Sequence, residues 1–407
     1  MGILKDRFLI FMVLLGLFTR LLFINLPGFS IDVNDWFAWS LRLSNFNFAQ
    51  FYSKDIFTDY TPGYMYVLGF LGFLKNILQI NTQTFYFLLK LPAIFAEITL
   101  GVLIYKELKN NVSIFYTRLA AGLIFLNPAL IFNSSVWGQI DGVLTLTLFL
   151  AIYYLKNKKL LLSSTLLGIS LLIKPQTISI LPIFLIFAIN NFSIKNITKI
   201  TLPFLFIIFI FSLPFFNKNP FFGLISLIIN TASQYPYTTL FAYNFWGIIG
   251  SWIPDSIFWN GLTYQTWGYI LLTSYWIMIG YFFFKKKLSV YALATLATLG
   301  FFFLPTRVHE RYLYPAIVFL ILLTAYYKSK SLLILTGALT FLHLLNLYYV
   351  YVYYNEFYLK LPKILYNPII YNFLDTNSKE LSLISSIVFI LIVISIIKYD
   401  TSAYQKS

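Results

Sequence analysis

Four ionisable side chains crowd into Arg307-Val308-His309-Glu310-Arg311-Tyr312, between apolar runs long enough to span a bilayer. A guanidinium presents a planar fork that matches phosphate oxygens, and an imidazole can donate one N–H or carry charge. Arg307, His309 and Arg311 are therefore a candidate phosphate-binding set. Glu310 suits orienting that set, because a bare acid would oppose an anion. A second polar group lies near the N-terminus, where Asp32, Asp35, Asp55 and Asp59 follow the first apolar run. A carboxylate within reach of a hydroxyl can take its proton as the oxygen attacks. Acids early and bases late point to chemistry on a charged lipid, and charge clustered at a membrane boundary usually serves a site.

Other polar residues could join them. Lys174 precedes Pro175 at a helix end, where it can bind phosphate or snorkel. Trp137, Gln139 and Asp141 combine an aromatic face with amide and carboxylate groups, a set suited to sugar hydroxyls or to holding Lys174 and the arginines. Each has a structural alternative. Asp32 could cap a helix beginning near Val33, the arginines could anchor at headgroups, and Asp141 could form an ion pair at the start of a span. Glu97, inside an apolar run, needs a partner or a proton, and Arg20 is one mate for it. His343 reads as a packed histidine.

The elements that must position these groups are membrane helices. Hydrophobic residues make up 59% of the 407-residue chain and charged ones 11%, too apolar a balance for a soluble fold. The net charge of +15 sits in short loops between apolar runs, as topology-setting charge does, rather than in a nucleic-acid face. There is no cysteine, which excludes disulfides and thiolate chemistry. Windows of roughly 15 to 20 apolar residues give about 12 helices. Their cores are residues 8–26, 84–105, 113–132, 142–155, 160–173, 177–189, 200–216, 267–284, 289–304, 312–327, 331–350 and 381–397. Residues 8–26 lack a small-residue cleavage site and read as a retained helix.

Alternate loops carry Lys5/Arg7, Lys106/Lys109, Lys156/Lys158/Lys159, Lys195/Lys199, Lys285/Lys286/Lys287, Lys328/Lys330 and Lys398/Lys406, which the positive-inside rule places in the cytoplasm with both termini. Residues 64–78 would reverse that parity if they crossed, so they read as an interfacial or re-entrant helix. Residues 27–83 become a large first external loop bearing interfacial helices, and 217–266 a second, aromatic-rich one. The aromatics there either anchor at the interface or line a groove. Residues 133–139, 174–176, 305–311 and 351–380 fall on the same external side. The expected fold is all-α, a single polytopic membrane domain over 1–407.

Several motifs carry a resemblance. Trp137-Gly138-Gln139-Ile140-Asp141, Lys174-Pro175-Gln176 and His309-Glu310-Arg311-Tyr312 follow Asp32, Trp39 and Asp59-Tyr60-Thr61-Pro62-Gly63-Tyr64 in order. Over residues 20 to 320 or so, the chain resembles the bacterial and archaeal membrane proteins related to GPI mannosyltransferases, in the GT-C class of glycosyltransferases. That resemblance implies inverting transfer of a hexose, mannose foremost, from a polyprenyl-phosphate donor. The acceptor would be a glycolipid, glycan or protein on the external face of a bacterial or archaeal plasma membrane. It also implies a base in the first external loop, at Asp32. Many relatives carry a second acid two residues on, whereas this chain has Asn34 there and then Asp35, which leaves the division between Asp32 and Asp35 open.

Arg307, His309, Arg311 and Lys174 are then candidates for the donor phosphate. Asp59, Tyr60, Tyr64, Trp137, Gln139, Asp141, Gln176 and Glu310 are candidates for sugar or acceptor. No cofactor is expected. The acids could coordinate Mg²⁺ or Mn²⁺ through oxygen, but one phosphate charge can be balanced by Arg and His. A transporter or flippase is the main rival, and a polysaccharide ligase or polymerase using a lipid-diphosphate donor the next. No paired halves with matching broken helices favour the transporter, and no nucleotide-binding fingerprint is present.

Overall fold

The computed structural model describes residues 6–53, 57–286 and 288–403. Lys5, Asp55, Lys287 and Lys406, named above, lie outside them. The protein is mostly helical with little sheet. Among the described residues six helices are long and apolar enough to cross a membrane: Thr82–Lys109, Ile114–Trp137, Ile194–Phe216, Tyr264–Lys285, Lys330–Tyr358 and Ser378–Asp400. In hydrocarbon every backbone N–H and C=O must bond within its own segment, which a helix alone achieves in a chain with so little sheet. The protein is thus an all-α, membrane-embedded one.

Apolar helices divide into two kinds that hydropathy does not separate. Ile194–Phe216 buries only Ile208, Ser212 and Phe215 and turns Leu202 and Phe206 outward. Val290–Phe303 and Tyr314–Tyr327 are buried on nearly every side and form the middle of the bundle. A fully buried ion pair stitches the bundle together. Arg20 Nε donates to Glu97 Oε2 at 2.6 Å, and Ser134 Oγ and Tyr314 Oη donate to the same carboxylate at 2.7 and 2.6 Å. Arg20 Nη1 satisfies the carbonyls of Gly16 and Phe125. The pairing of Glu97 with Arg20 matches the expectation from sequence.

Residues 27–83 fold as two helices, Ser30–Leu43 and Pro62–Ile77, with a short 3-10 turn at Phe48–Gln50 between them. The helices pack closely because Gly72 faces the Ser40 carbonyl, where a Cβ would come within 2.0 Å of the oxygen. Three expected elements differ in detail. The run 113–132 breaks at Asn127-Pro128, where the Asn127 side chain accepts from the Ala129 and Leu130 N–H groups. It then continues as a wide π turn, Phe132–Trp137. Residues 217–266 hold a helix, Pro220–Ser233, that reading them as loop overlooks. Residues 351–380 likewise contain a helix, Pro368–Thr376. Within residues 217–266, Thr239–Leu240 pairs in parallel with Val308–His309 and so fastens the aromatic stretch to the charged one.

Candidate functional site

The Ser30–Leu43 helix starts the site. Its first N–H is taken by Asn355 Oδ1 at 3.0 Å, and the Phe29 N–H donates to the Trp137 carbonyl at 2.7 Å. The helix thus begins before Val33, and Asp32 is not its cap. Asp32 instead reaches across to the segment after the π turn: Trp137 Nε1 and Gln139 Nε2 each donate to its Oδ2 at 2.8 Å. Both donors fall on one oxygen, and among the described residues Oδ1 has no hydrogen-bond donor. Asp35, one turn along, lies on the same helix face.

These two acids line a cavity of about 250 Å³ together with Asp59, Tyr60, His309, Glu310 and Arg311. Residues more than 270 positions apart in the chain therefore share one chamber. Burial, then repulsion from Asp32 and Asp59, pushes the Asp35 carboxyl up to about 7. Burial and Asp32 push Asp59 up to about 6, against the opposing pull of Arg311 and Lys174. His309 is held well below its ordinary value by burial, with Arg311 and Lys174 adding to the effect, so its ring is neutral at physiological pH.

Arg311 is the cation of the chamber. Its Nη1 lies 3.1 Å from Glu310 Oε1 and 3.4 Å from His309 Nδ1, while its Nε is buried with no protein partner. If Nδ1 accepts from Arg311, the proton of the neutral ring sits on Nε2. A buried, unpaired guanidinium N–H costs free energy; the Nε is closed off from the cavity, so a ligand there reaches it only if the Arg311 side chain shifts.

The remaining candidates stand behind this wall rather than on it. Gln139 Oε1 accepts from Tyr60 Oη, Lys174 Nζ and the Ile140 N–H, each at 2.9 Å. Lys174 Nζ also donates to Asp141 Oδ1 at 2.7 Å, and Asn133 Nδ2 donates to the other Asp141 oxygen at 3.1 Å. Lys174 and Asp141 are each 3% exposed. Lys174 is therefore neutralised internally; Trp137 and Gln139 converge on Asp32, Asp141 is linked to them through Lys174, and none of the three lines the cavity. Gly138, with φ +93°, makes the turn that aims Gln139, in a left-handed conformation that favours glycine.

Three of the expected site residues lie elsewhere. Arg307 is gripped by Asp255 (Nε to Oδ2 2.7 Å, Nη2 to Oδ1 3.2 Å) and donates Nη1 to the Ala232 carbonyl, so it does not border the cavity. Tyr64 is fully buried behind Trp36, with ring centroids 6.1 Å apart. Gln176 lies beside Tyr312, outside the cavity lining.

Tyr235, Phe241, Trp252 and Tyr354 make an aromatic roof, with the Tyr235 ring 5.3 Å from that of His309. The first three belong to the aromatics of 217–266, for which lining a groove was one of the two sequence readings. Sequence reasoning passed over Tyr354, Asp255 and Lys90. Asp255 was overlooked because nothing in the local sequence pairs it with Arg307. Lys90 could have been noticed as a lone cation in an apolar run. It is buried, and its ammonium donates to the carbonyls of Ile24, Leu26 and Ser135 at 3.0, 2.6 and 2.8 Å, which closes the chain where the first helix ends. Among the described residues no group of three or more His, Asp or Glu side chains is gathered as metal ligands are. Neither known family models nor curated proteins match this chain.

Proposed function

We propose that the protein is an inverting glycosyltransferase of the GT-C type. In this reading about a dozen crossings, the shorter apolar helices included, carry the cavity at the external face. The donor is a polyprenyl-phosphate hexose, mannose foremost, and the acceptor a glycolipid, glycan or protein. The observation that carries the reading is the chamber itself, in which a carboxylate whose two side-chain donors fall on one oxygen shares a cavity with the Arg311 guanidinium.

The chemistry follows from those two groups. Asp32 Oδ1 takes the proton of an acceptor hydroxyl as its oxygen bonds to the anomeric carbon. On the opposite face the bond from that carbon to the phosphate oxygen breaks, its electron pair stays on the lipid phosphate, and the configuration inverts. Arg311 and the N–H of neutral His309 stabilise the growing phosphate charge. Glu310 holds Arg311 in place. The aromatic roof and Trp36 offer apolar faces for a sugar ring or the first prenyl unit. Asp35 and Asp59 sit where acceptor hydroxyls would be bound. One phosphate charge needs no cation beyond Arg311, so the reading includes no metal.

The test is sugar release from radiolabelled polyprenyl-phosphate-mannose and polyprenyl-phosphate-glucose by purified protein in lipid, with membrane glycolipids as acceptor. Replacing Asp32 by Asn keeps an oxygen for Trp137 and Gln139 but removes the base. Turnover should fall about 10²- to 10⁴-fold with donor binding intact. Retained turnover would move the role to Asp35. Release from a lipid-diphosphate donor alone would favour the ligase, and binding of neither donor would favour a transporter.

A further inference from the structure

We propose that Gln139 fixes which oxygen of Asp32 stays open to an acceptor, and that Lys174, paired with Asp141, serves to fix which way the Gln139 amide faces. The inference rests on Asp32 being the base. A glutamine amide can be turned either way in most settings, since its oxygen and nitrogen are nearly the same size. Here the surroundings decide. The oxygen meets three groups, of which the Lys174 ammonium and the Ile140 backbone N–H can only donate, while Tyr60 Oη completes the set. The amide nitrogen must then face Asp32 Oδ2, to which it donates at 2.8 Å.

One consequence follows for Asp32. Because the Gln139 and Trp137 N–H bonds both fall on Oδ2, the other oxygen is left as the one that can take a proton. A turned amide would set an oxygen lone pair against the carboxylate and undo this arrangement. The Lys174–Asp141 pair is far too buried to meet a substrate, yet a buried pair stabilises a fold little over apolar residues of similar size. Orienting Gln139 gives it a role that burial alone does not. Gln139 and Lys174 are positioning residues, acting through Asp32.

The decisive variants are Gln139→Glu and Gln139→Met. Glutamate keeps an acceptor for the three donors but removes the N–H that faces Asp32. Methionine removes the N–H without adding an acid. In both, kcat should fall about 10-fold or more, because the hydrogen bond that aims the base is lost. Donor KM should stay near wild type. Lys174→Met, which removes one of the two pure donors holding the amide oxygen, should lower kcat in the same way by less. In the Asp32→Asn background, Gln139→Met should cost no further residual turnover, because Gln139 acts through Asp32. An unchanged kcat in folded Gln139 variants, or an equal further loss in the Asp32→Asn background, would overturn this inference alone. An active Asp32→Asn would overturn the assignment of the base beneath it.

Discussion

Arg311 offers the sharpest test of the donor site. Replacing it by Met removes the guanidinium and keeps a long apolar stem in the wall. The structure leaves its Nε unpartnered and gives Nη1 only Glu310 and His309, so little of its hydrogen-bonding capacity is used by the protein. A hydrogen bond from a charged donor contributes about 1.5–3 kcal/mol. Losing one to a phosphate oxygen should weaken donor binding roughly 10- to 150-fold. The substitution also strips Glu310, 2% exposed, of its charged partner, and an unpaired buried acid could reshape the chamber by itself. A second protein carrying both Arg311→Met and Glu310→Gln removes that complication. Binding can be followed by tryptophan fluorescence in lipid nanodiscs, since Trp36, Trp39 and Trp252 line the cavity. Free polyprenol serves as the phosphate-free control. Both variants should lose affinity for the phosphate-bearing donor and bind polyprenol as wild type does. Recovery of donor affinity in the double variant would refute the argument, because the loss would then belong to Glu310. An affinity within about threefold of wild type in both would refute it as well.

Two further outcomes can be measured alongside. Asp35 and Asp59, raised to about 7 and about 6, are neutral below those values and gain charge above them. Affinity for an anionic donor should therefore fall between roughly pH 5 and pH 8, and Asp35→Asn should flatten the fall. Fold stability should decline from roughly pH 4 to pH 7, between the ordinary carboxyl value and the raised ones, because the folded state there holds protons that the unfolded chain has released. A donor affinity that climbs with pH would contradict this sign. Arg307→Met should lower the melting temperature, since Asp255 loses its ion pair and keeps only Thr306 Oγ1 as a side-chain donor, at 3.0 Å. Donor affinity should stay near wild type, and a loss matching that of Arg311→Met would return Arg307 to the site.

How much was legible depended on the range of the interaction. The acids of the first loop and the His309-Glu310-Arg311 cluster stand out in sequence because charge is conspicuous against apolar runs, and the structure does bring Asp32, Asp35 and Asp59 into one cavity with them. Glu97 with Arg20 was readable for the same reason, as two charges in apolar runs that each need a mate. The helix Pro220–Ser233 was less readable, because its aromatic and Asn-rich flanks resemble loop.

The sequence by itself determined the solvent and the inventory. A chain this apolar must satisfy its backbone in helices within lipid, and its few ionisable groups must collect where they can be paired or solvated. Tertiary structure alone decided which of those groups remain free. Arg307, Lys174 and Arg311 look equivalent in sequence, each at the end of an apolar run. Folding places Asp255 against the first and Asp141 against the second, while the third pairs only with its neighbour Glu310 and keeps an Nε without a partner at the cavity wall. Local sequence could not distinguish them, because neutralising a buried charge takes an opposite charge within a few ångströms. Those partners arrive from 52 and 33 residues away.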